Sequence, residues 1–230
     1  MRLIYISGYG RSGTTALSGY LSRCSEAISL GEISFAFDKD VSRDVCSCGL
    51  KRVECDIWGD NELIDAVKMY IGTFGLFRIS NDFEYCLTNL SRLMGKNTVI
   101  DSSKNAWKKC LIPFILAGRC DTIVVHIKRN LRDVLGSVYK GRNRYLQRNV
   151  ADPRPKFISL LLTFFGWIVS NITGYIASNL YDNVYWVKYE NIFLSEGVCV
   201  DELQDIIEKL GPLGQLENRH EIAGNRTALT

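Results

Sequence analysis

The stretch Leu3-Ile4-Tyr5-Ile6-Ser7-Gly8-Tyr9-Gly10-Arg11-Ser12-Gly13-Thr14-Thr15-Ala16-Leu17 decides the fold. Its opening residues are apolar at consecutive positions, the pattern of a strand buried on both faces of a parallel sheet. The apolar run is too short for a secretory signal core and empties directly into glycines. From Gly8 to Thr15 the residues are small, polar and glycine-rich, and Ala16-Leu17-Ser18-Gly19-Tyr20-Leu21 then takes up helical spacing. Such a turn lets backbone N–H groups curl around an anion while the positive N-terminal end of the helix faces it. The plainer alternative is a glycine-rich strand-to-helix turn with no ligand.

Thr98–Asp101 and Thr122–Lys128 read as further interior strands, and Val184–Tyr189, rich in β-formers, as a fourth. Helical periodicity covers Gly13–Ser22, Asp133–Tyr139 and Asp201–Leu210. Strands alternating with helices predict a layered α/β domain, whose ligands sit at the carboxyl ends of its strands. The 230 residues, 47% hydrophobic and 23% charged, fit a single domain over 1–230 and exclude a disordered or low-complexity chain. A net charge of +3 excludes a generic nucleic-acid coat, and only two histidines, His126 and His220, argue against a multi-histidine metal centre. His126, inside an apolar strand, reads as a satisfied core residue. Phe157 to Leu180 carries no charged residue and is long enough to span a membrane. Ser159, Thr163, Ser170, Asn171, Gly166 and Gly174 interrupt it, so the expectation is a buried core helix with no membrane span.

From Lys128 to Arg148 there are seven basic residues and one acid, Asp133. Lys140 to Arg148 reads as a solvated basic face; a nucleic-acid groove would interleave aromatics, so no nucleic-acid partner is expected. Arg129 and Ser137 stand apart. They flank a strand-to-helix turn that can bring a guanidinium and a hydroxyl to one phosphate. The first loop resembles a Walker A loop, with Gly8 and Gly13 at the right spacing and Thr15 as the closing hydroxyl. It departs at Thr14, where that motif has its lysine. Arg11 supplies the loop's charge instead.

These residues carry a family resemblance. Arg11-Ser12-Gly13-Thr14-Thr15 resembles the 5′-phosphosulfate loop of sulfotransferases that use 3′-phosphoadenosine 5′-phosphosulfate (PAPS). Arg129-Asn130 through Asp133 to Ser137 resembles their 3′-phosphate motif. Asp101-Ser102-Ser103-Lys104, Trp167 with Asn171, Tyr189-Glu190-Asn191, His220 with Gly224-Asn225, and Cys46-Ser47-Cys48-Gly49 followed by Cys55 and Trp58 are similar to bacterial-type members. The resemblance runs from about residue 3 to residue 226. It implies an α/β, three-layer parallel β-sheet flanked by helices, the P-loop NTPase-like sulfotransferase fold. It implies transfer of a sulfuryl group from PAPS to a hydroxyl acceptor by in-line displacement, releasing 3′,5′-diphosphoadenosine, with no metal needed.

By the same resemblance Arg11, Ser12, Gly13, Thr14 and Thr15 hold the 5′-phosphosulfate and Arg129 and Ser137 the 3′-phosphate. Asn225 and Arg226 belong to the element that closes over the nucleotide. Cytosolic members carry a base histidine after the strand that matches Val99–Asp101; this chain has Asp101-Ser102-Ser103-Lys104 there. Other members place a glutamate after a short strand following the loop helix. Glu32 falls at that point, after Ala27-Ile28-Ser29-Leu30, and is the expected general base, the alternative being a helix-capping or surface glutamate. Lys104 is expected to neutralise the leaving group, and Asp101 to orient the loop or Lys104. The acceptor class is a glycan, a lipid or a small metabolite, the expected location cytoplasmic, and a homo-oligomer is compatible with the sequence.

Cys46, Cys48 and Cys55 form a C-x-C-x6-C cluster that lacks an obvious fourth ligand for zinc. It reads as a disulfide or as packed thiols in an insertion at about 33–95 that shapes the acceptor side. Two rival functions share the same residues. One is a magnesium-dependent small-molecule kinase with Asp101 as the metal-binding acid; the other is a non-enzymatic nucleotide- or polyanion-binding module using Lys128–Arg148. The sequence stops at Thr230, just past Gly224-Asn225, where similar proteins continue with another helix. The expectation is a minimal member or a truncated donor-closing end.

Overall fold

The computed structural model describes residues 1–35, 46, 50, 51, 54–75, 78–104, 110–119, 121–140, 155–194, 197, 198 and 203–210. Five strands form one sheet: β1 (Arg2–Ser7), β2 (Ala27–Ser29), β3 (Thr98–Asp101), β4 (Thr122–Lys128) and β5 (Val184–Lys188). Their order is β2-β3-β1-β4-β5, and every pairing is parallel. Around them lie α1 (Thr14–Leu21), α2 (Asn61–Gly72), α3 (Phe83–Met94), α4 (Ile112–Ala117), α5 (Leu131–Tyr139), α6 (Lys156–Leu180), α7 (Tyr189–Ile192) and α8 (Gln204–Leu210). A short antiparallel pair, β6 (Phe193–Leu194) and β7 (Gly197–Val198), follows α7.

Alternate residues of the strands feed two apolar layers. Ile4, Ile6, Ile100, Val125 and Ile127 pack with Leu17 and Leu21 of α1 and with Ile206 and Leu210 of α8. Leu3, Tyr5, Val99 and Val124 face the other way, against Val67 and Tyr70 of α2, Phe83 and Leu90 of α3, and Leu116 of α4. The result is the expected three-layer α/β fold with a buried parallel sheet. Residues of the 33–95 stretch thus supply part of one covering layer. The expected strands lie where the sequence placed them, with β1 beginning at Arg2 and β5 giving way to α7 at Tyr189. Cys46 and Cys55 are buried thiols rather than half-cystines, and Cys48 lies outside the described residues.

The order of strands positions the site. The chain leaves β1 toward β2 and leaves β4 toward β5, so the connections diverge between two neighbouring strands. That divergence opens a crevice at their carboxyl ends. The loop Gly8–Thr15 and the Arg129–Ser137 segment border it, while Glu32 and Lys104 follow β2 and β3 on the same edge of the sheet.

One expectation is corrected. Residues 157–180 do form a single helix, but it is not a buried core helix. Its inward face is small and polar: Thr163, Gly166, Ser170, Asn171, Gly174 and Ala177. The large apolar side chains point outward, with Phe157 70%, Phe165 53%, Tyr175 59% and Leu180 65% exposed. Small residues are inside because α6 rides close to the sheet. A Cβ built on Gly174 would stand 2.3 Å from His126 Nδ1. The other side of that imidazole is closed by Trp186, stacked at 4.8 Å, so the ring cannot retreat.

Replacement of Gly174 by alanine is therefore expected to lower stability by about 1–3 kcal/mol, the range for overpacking a filled interior. Equilibrium urea unfolding would show it as a lower midpoint at unchanged m-value. An unchanged midpoint would mean that α6 lies further from β4 than described.

Candidate active site

The turn after β1 is built by two glycines that no other residue could replace in place. Gly8 has φ 143°, and a Cβ there would come within 2.6 Å of the Ile127 carbonyl oxygen. Gly13, the N-cap of α1, has φ 91°, and a Cβ there would enter the Tyr189 ring at 2.3 Å. Between them Arg11 also takes a left-handed backbone, φ 72°, which is sterically unfavourable for a side-chain-bearing residue. No side chain of the N-cap satisfies the first amides of α1, which stay available to an anion. Ser12 is fully buried within this loop, and among the described residues its Oγ has no hydrogen-bond partner.

Arg129, at the end of β4, closes over the same loop. Its Nη1 donates to the Arg11 carbonyl oxygen at 3.2 Å. Its guanidinium lies 4.3 Å above the centre of the Tyr189 ring, a cation–π contact. The buried Nε has no partner among the described residues. The Trp167 indole N–H of α6 donates to the Arg129 carbonyl oxygen at 2.9 Å. Asn130 caps α5 by accepting from the Arg132 amide at 3.0 Å, and its own N–H donates to Glu190 Oε1 at 2.7 Å. Ser137 lies half-buried further along α5.

On the other side of the crevice, β2 and β3 deliver an acid and a base to one another. Lys104 Nζ donates to Glu32 Oε1 at 2.5 Å, with the two side chains only 10% and 19% exposed. Backbone stitching fixes both loops: the Ser102 amide donates to the Gly31 carbonyl oxygen at 3.0 Å, and the Ser34 amide to Ser103 Oγ at 2.8 Å. Asp101 is engaged through both oxygens, accepting from the Ser103 amide at 2.7 Å and the Tyr70 hydroxyl at 3.1 Å. Tyr5 OH donates to the Ser103 carbonyl oxygen at 2.5 Å. Burial, with the Asp101 charge adding to it, pushes both the Tyr5 and Tyr70 phenols well above their ordinary range. They are permanent donors that hold the loop ahead of Lys104.

Beneath the crevice runs a buried polar chain. Ser7 Oγ lies 2.7 Å from His126 Nδ1, His126 Nε2 lies 3.3 Å from Asn171 Oδ1, and Asn171 Nδ2 donates to the Trp167 carbonyl oxygen at 2.7 Å. Burial lowers the His126 pKa to about 4, opposed by the Asn171 hydrogen bond and assisted by the Lys128 charge. His126 is thus a neutral, hydrogen-bonded core residue.

Of the expected site residues, Arg11, Ser12, Gly13, Thr14, Thr15, Arg129, Glu32 and Lys104 follow strands at the carboxyl edge of the sheet, whereas Ser137 lies in the last turn of α5. Asn225, Arg226 and His220 lie outside the described residues. The roles of Tyr189, Tyr70, Tyr5 and Glu190 escaped the sequence reading. Only Gly13 hints at Tyr189, through the space that it leaves. Among the described residues no three His, Cys, Asp or Glu side chains cluster as metal ligands.

No protein-family profile matches the chain, and no curated protein sequence does. Solved structures do. The chain is similar to a sulfotransferase domain from the curacin biosynthetic pathway, at TM-score 0.58 and 14% identity, covering 100% of this chain and 82% of that one. It is also similar to a sulfotransferase from Alicyclobacillus acidocaldarius, at TM-score 0.48 and 14% identity, covering 97% of this chain and 85% of the other. The α/β fold is thus the one seen in the curacin-pathway domain.

Two outcomes follow from the geometry. Gly13→Ala should destabilise the fold by about 1–3 kcal/mol through its left-handed backbone alone, with the Tyr189 clash added, read by thermal or denaturant unfolding. For His126, the unfolded state takes up a proton near pH 6.5 whereas the folded state resists it down to about pH 4. Stability should therefore be complete above about pH 6.5 and fall, by on the order of 3 kcal/mol, as the pH drops through that window. A His126→Gln protein should show a flatter acid limb in pH-dependent unfolding; an identical limb would contradict the burial.

Proposed function

We propose that this protein is a PAPS-dependent sulfotransferase acting on a hydroxyl acceptor. The observation that carries the reading is the Glu32–Lys104 pair, brought from the ends of two neighbouring strands to the edge that also bears the anion loop. A carboxylate is an acceptor only, and an ammonium has three donors. One donor binds Glu32, which leaves two for a leaving-group oxygen.

The donor set fits a doubly anionic nucleotide. Ser12 Oγ and Arg129 Nε are buried polar atoms with no partner among the described residues, and a phosphate or sulfate oxygen would supply the acceptor that each lacks. Arg11 to Thr15 would hold the 5′ end, with Arg129 and Ser137 at the 3′-phosphate. Asn225 and Arg226 are proposed to close over the nucleotide. Bound PAPS supplies the sulfuryl group and a 3′,5′-diphosphate leaving group. Glu32 accepts the proton of the acceptor hydroxyl, Lys104 offsets charge that grows on the leaving oxygen, and the loop amides hold the transferred group in line.

Two features weigh against the kinase reading. Thr14 puts no amine at the loop position that grips a triphosphate. Asp101, the acid that would serve a metal, has its two oxygens committed to Ser103 and Tyr70.

Titration calorimetry tests the reading with 3′,5′-diphosphoadenosine, ADP and ATP, each with and without magnesium. The 3′,5′-diphosphate should bind best and without magnesium, and Arg129→Ala should erase its advantage over ADP. Glu32→Gln should retain nucleotide affinity and lose at least about a hundredfold in turnover, the usual scale of a general base. Equal affinity for ADP, or magnesium-dependent preference for ATP, would overturn the assignment.

A further inference from the structure

The outward face of α6 has no role in the crevice chemistry. Ten large apolar side chains of this helix are exposed, from Phe157 to Leu180, while the residues that it buries are small or polar. A core helix has the reverse arrangement. Phe157, Leu161, Phe165, Ile172 and Tyr175 recur at helical spacing and form one stripe along about 27 Å of helix, at 1.5 Å per residue. No acidic side chain lies on α6.

The flanking charge is basic. Arg132 and Lys140 are exposed on and just beyond α5, which packs beside α6. Lys156 opens α6 and lies 5.1 Å from the ring of Tyr139, itself exposed. Asp133 is the one acid described between Leu131 and Leu180. In the sequence, residues 141–154 add Arg142, Arg144, Arg148 and Arg154 against Asp152. An apolar face with aromatic residues and a basic rim is the composition of a helix that lies in a lipid interface.

We propose that α6 seats the protein on an anionic lipid bilayer, its Phe157–Leu180 face in the headgroup–acyl boundary and Lys140 and Lys156 against the headgroups. The helix does not cross the bilayer. Its inner face carries Asn171, which is hydrogen-bonded to His126 of β4, and a crossing would tear that face from the sheet. Charge selects lipid over a second copy of the chain. A second copy would bring the same basic rim to the contact, whereas anionic headgroups neutralise it. The small residues that let two helices approach closely are already used inside. This inference is independent of the sulfotransferase reading.

Vesicle co-sedimentation of the full chain tests it, with phosphatidylcholine alone and with roughly 3:1 phosphatidylcholine:phosphatidylserine. The bound fraction should be at least about tenfold higher on the anionic vesicles and should fall as salt is raised. A Phe165→Ser/Ile172→Ser protein, altered only at exposed positions, should lose roughly tenfold in binding with an unchanged thermal midpoint. Lys156→Glu should reduce the preference for anionic over neutral vesicles. Binding that is absent from anionic vesicles, or unaltered in the double variant, would overturn the proposal. So would light scattering that shows a dimer converted to monomer by the double variant while vesicles bind neither protein.

Discussion

The Arg129 guanidinium is the contact on which the crevice depends. It reaches the Arg11 carbonyl oxygen with one nitrogen, lies flat on Tyr189, and its backbone carbonyl takes the Trp167 indole N–H. One residue therefore ties together the loops that leave β1, β4 and β5 and the middle of α6. The energetics are of matching size. A left-handed Arg11 costs about 1–3 kcal/mol, and a hydrogen bond from a charged donor returns about 1.5–3. Arg129 thus offsets part of the strain that Arg11 carries. Tyr189 in turn occupies the space in which a Gly13 side chain would lie, which is why the N-cap of α1 must be glycine.

Much of this was legible in the sequence because it rests on local pattern. Consecutive apolar residues in Leu3–Ile6 and Thr122–Ile127 belong to strands covered on both faces, so neither the strands nor the parallel sheet needed tertiary information. Glu32 and Lys104 were singled out by the family resemblance, and because polar clusters that follow strands land on one edge of a parallel sheet, a separation of 72 residues does not keep them apart. Their contact was not legible, because it depends on β2 pairing with β3 rather than with β1. Tyr5 and Tyr70 were missed for a different reason. An aromatic residue at a core position looks like packing, and only the structure shows its hydroxyl directed at Ser103 or Asp101.

The misreading of α6 has a physical source. Uncharged length, with scattered serines and glycines, is shared by core helices, membrane spans and interfacial helices. What separates them is which side of the helix holds the small residues, and that depends on the partner. Here the partner is a sheet face that carries a buried histidine. His126 needs a hydrogen-bond acceptor or donor at each ring nitrogen, and it finds Ser7 on β1 and Asn171 on α6. The helix must bring a polar residue there and, at Gly174, no side chain at all. The inward face was thus dictated by one neutral imidazole on β4.

That constraint fixes the inside of α6 but says nothing of its outside. The contacts to His126 and Trp186 are made by Asn171, Gly174 and Tyr175, not by residues 165, 172 or 176, where lysine or glutamate would be easier to hydrate. Phe165, Ile172 and Ile176 are instead among the exposed side chains of the fold. Scattered single apolar residues on a surface carry no meaning, but a continuous stripe bounded by basic residues does. The same helix also donates the Trp167 indole N–H to the Arg129 carbonyl, so whatever seats its outer face is connected to the residue that bonds the Gly8–Thr15 loop. The composition of that face is then information about the surface on which the crevice works rather than about the stability of the domain.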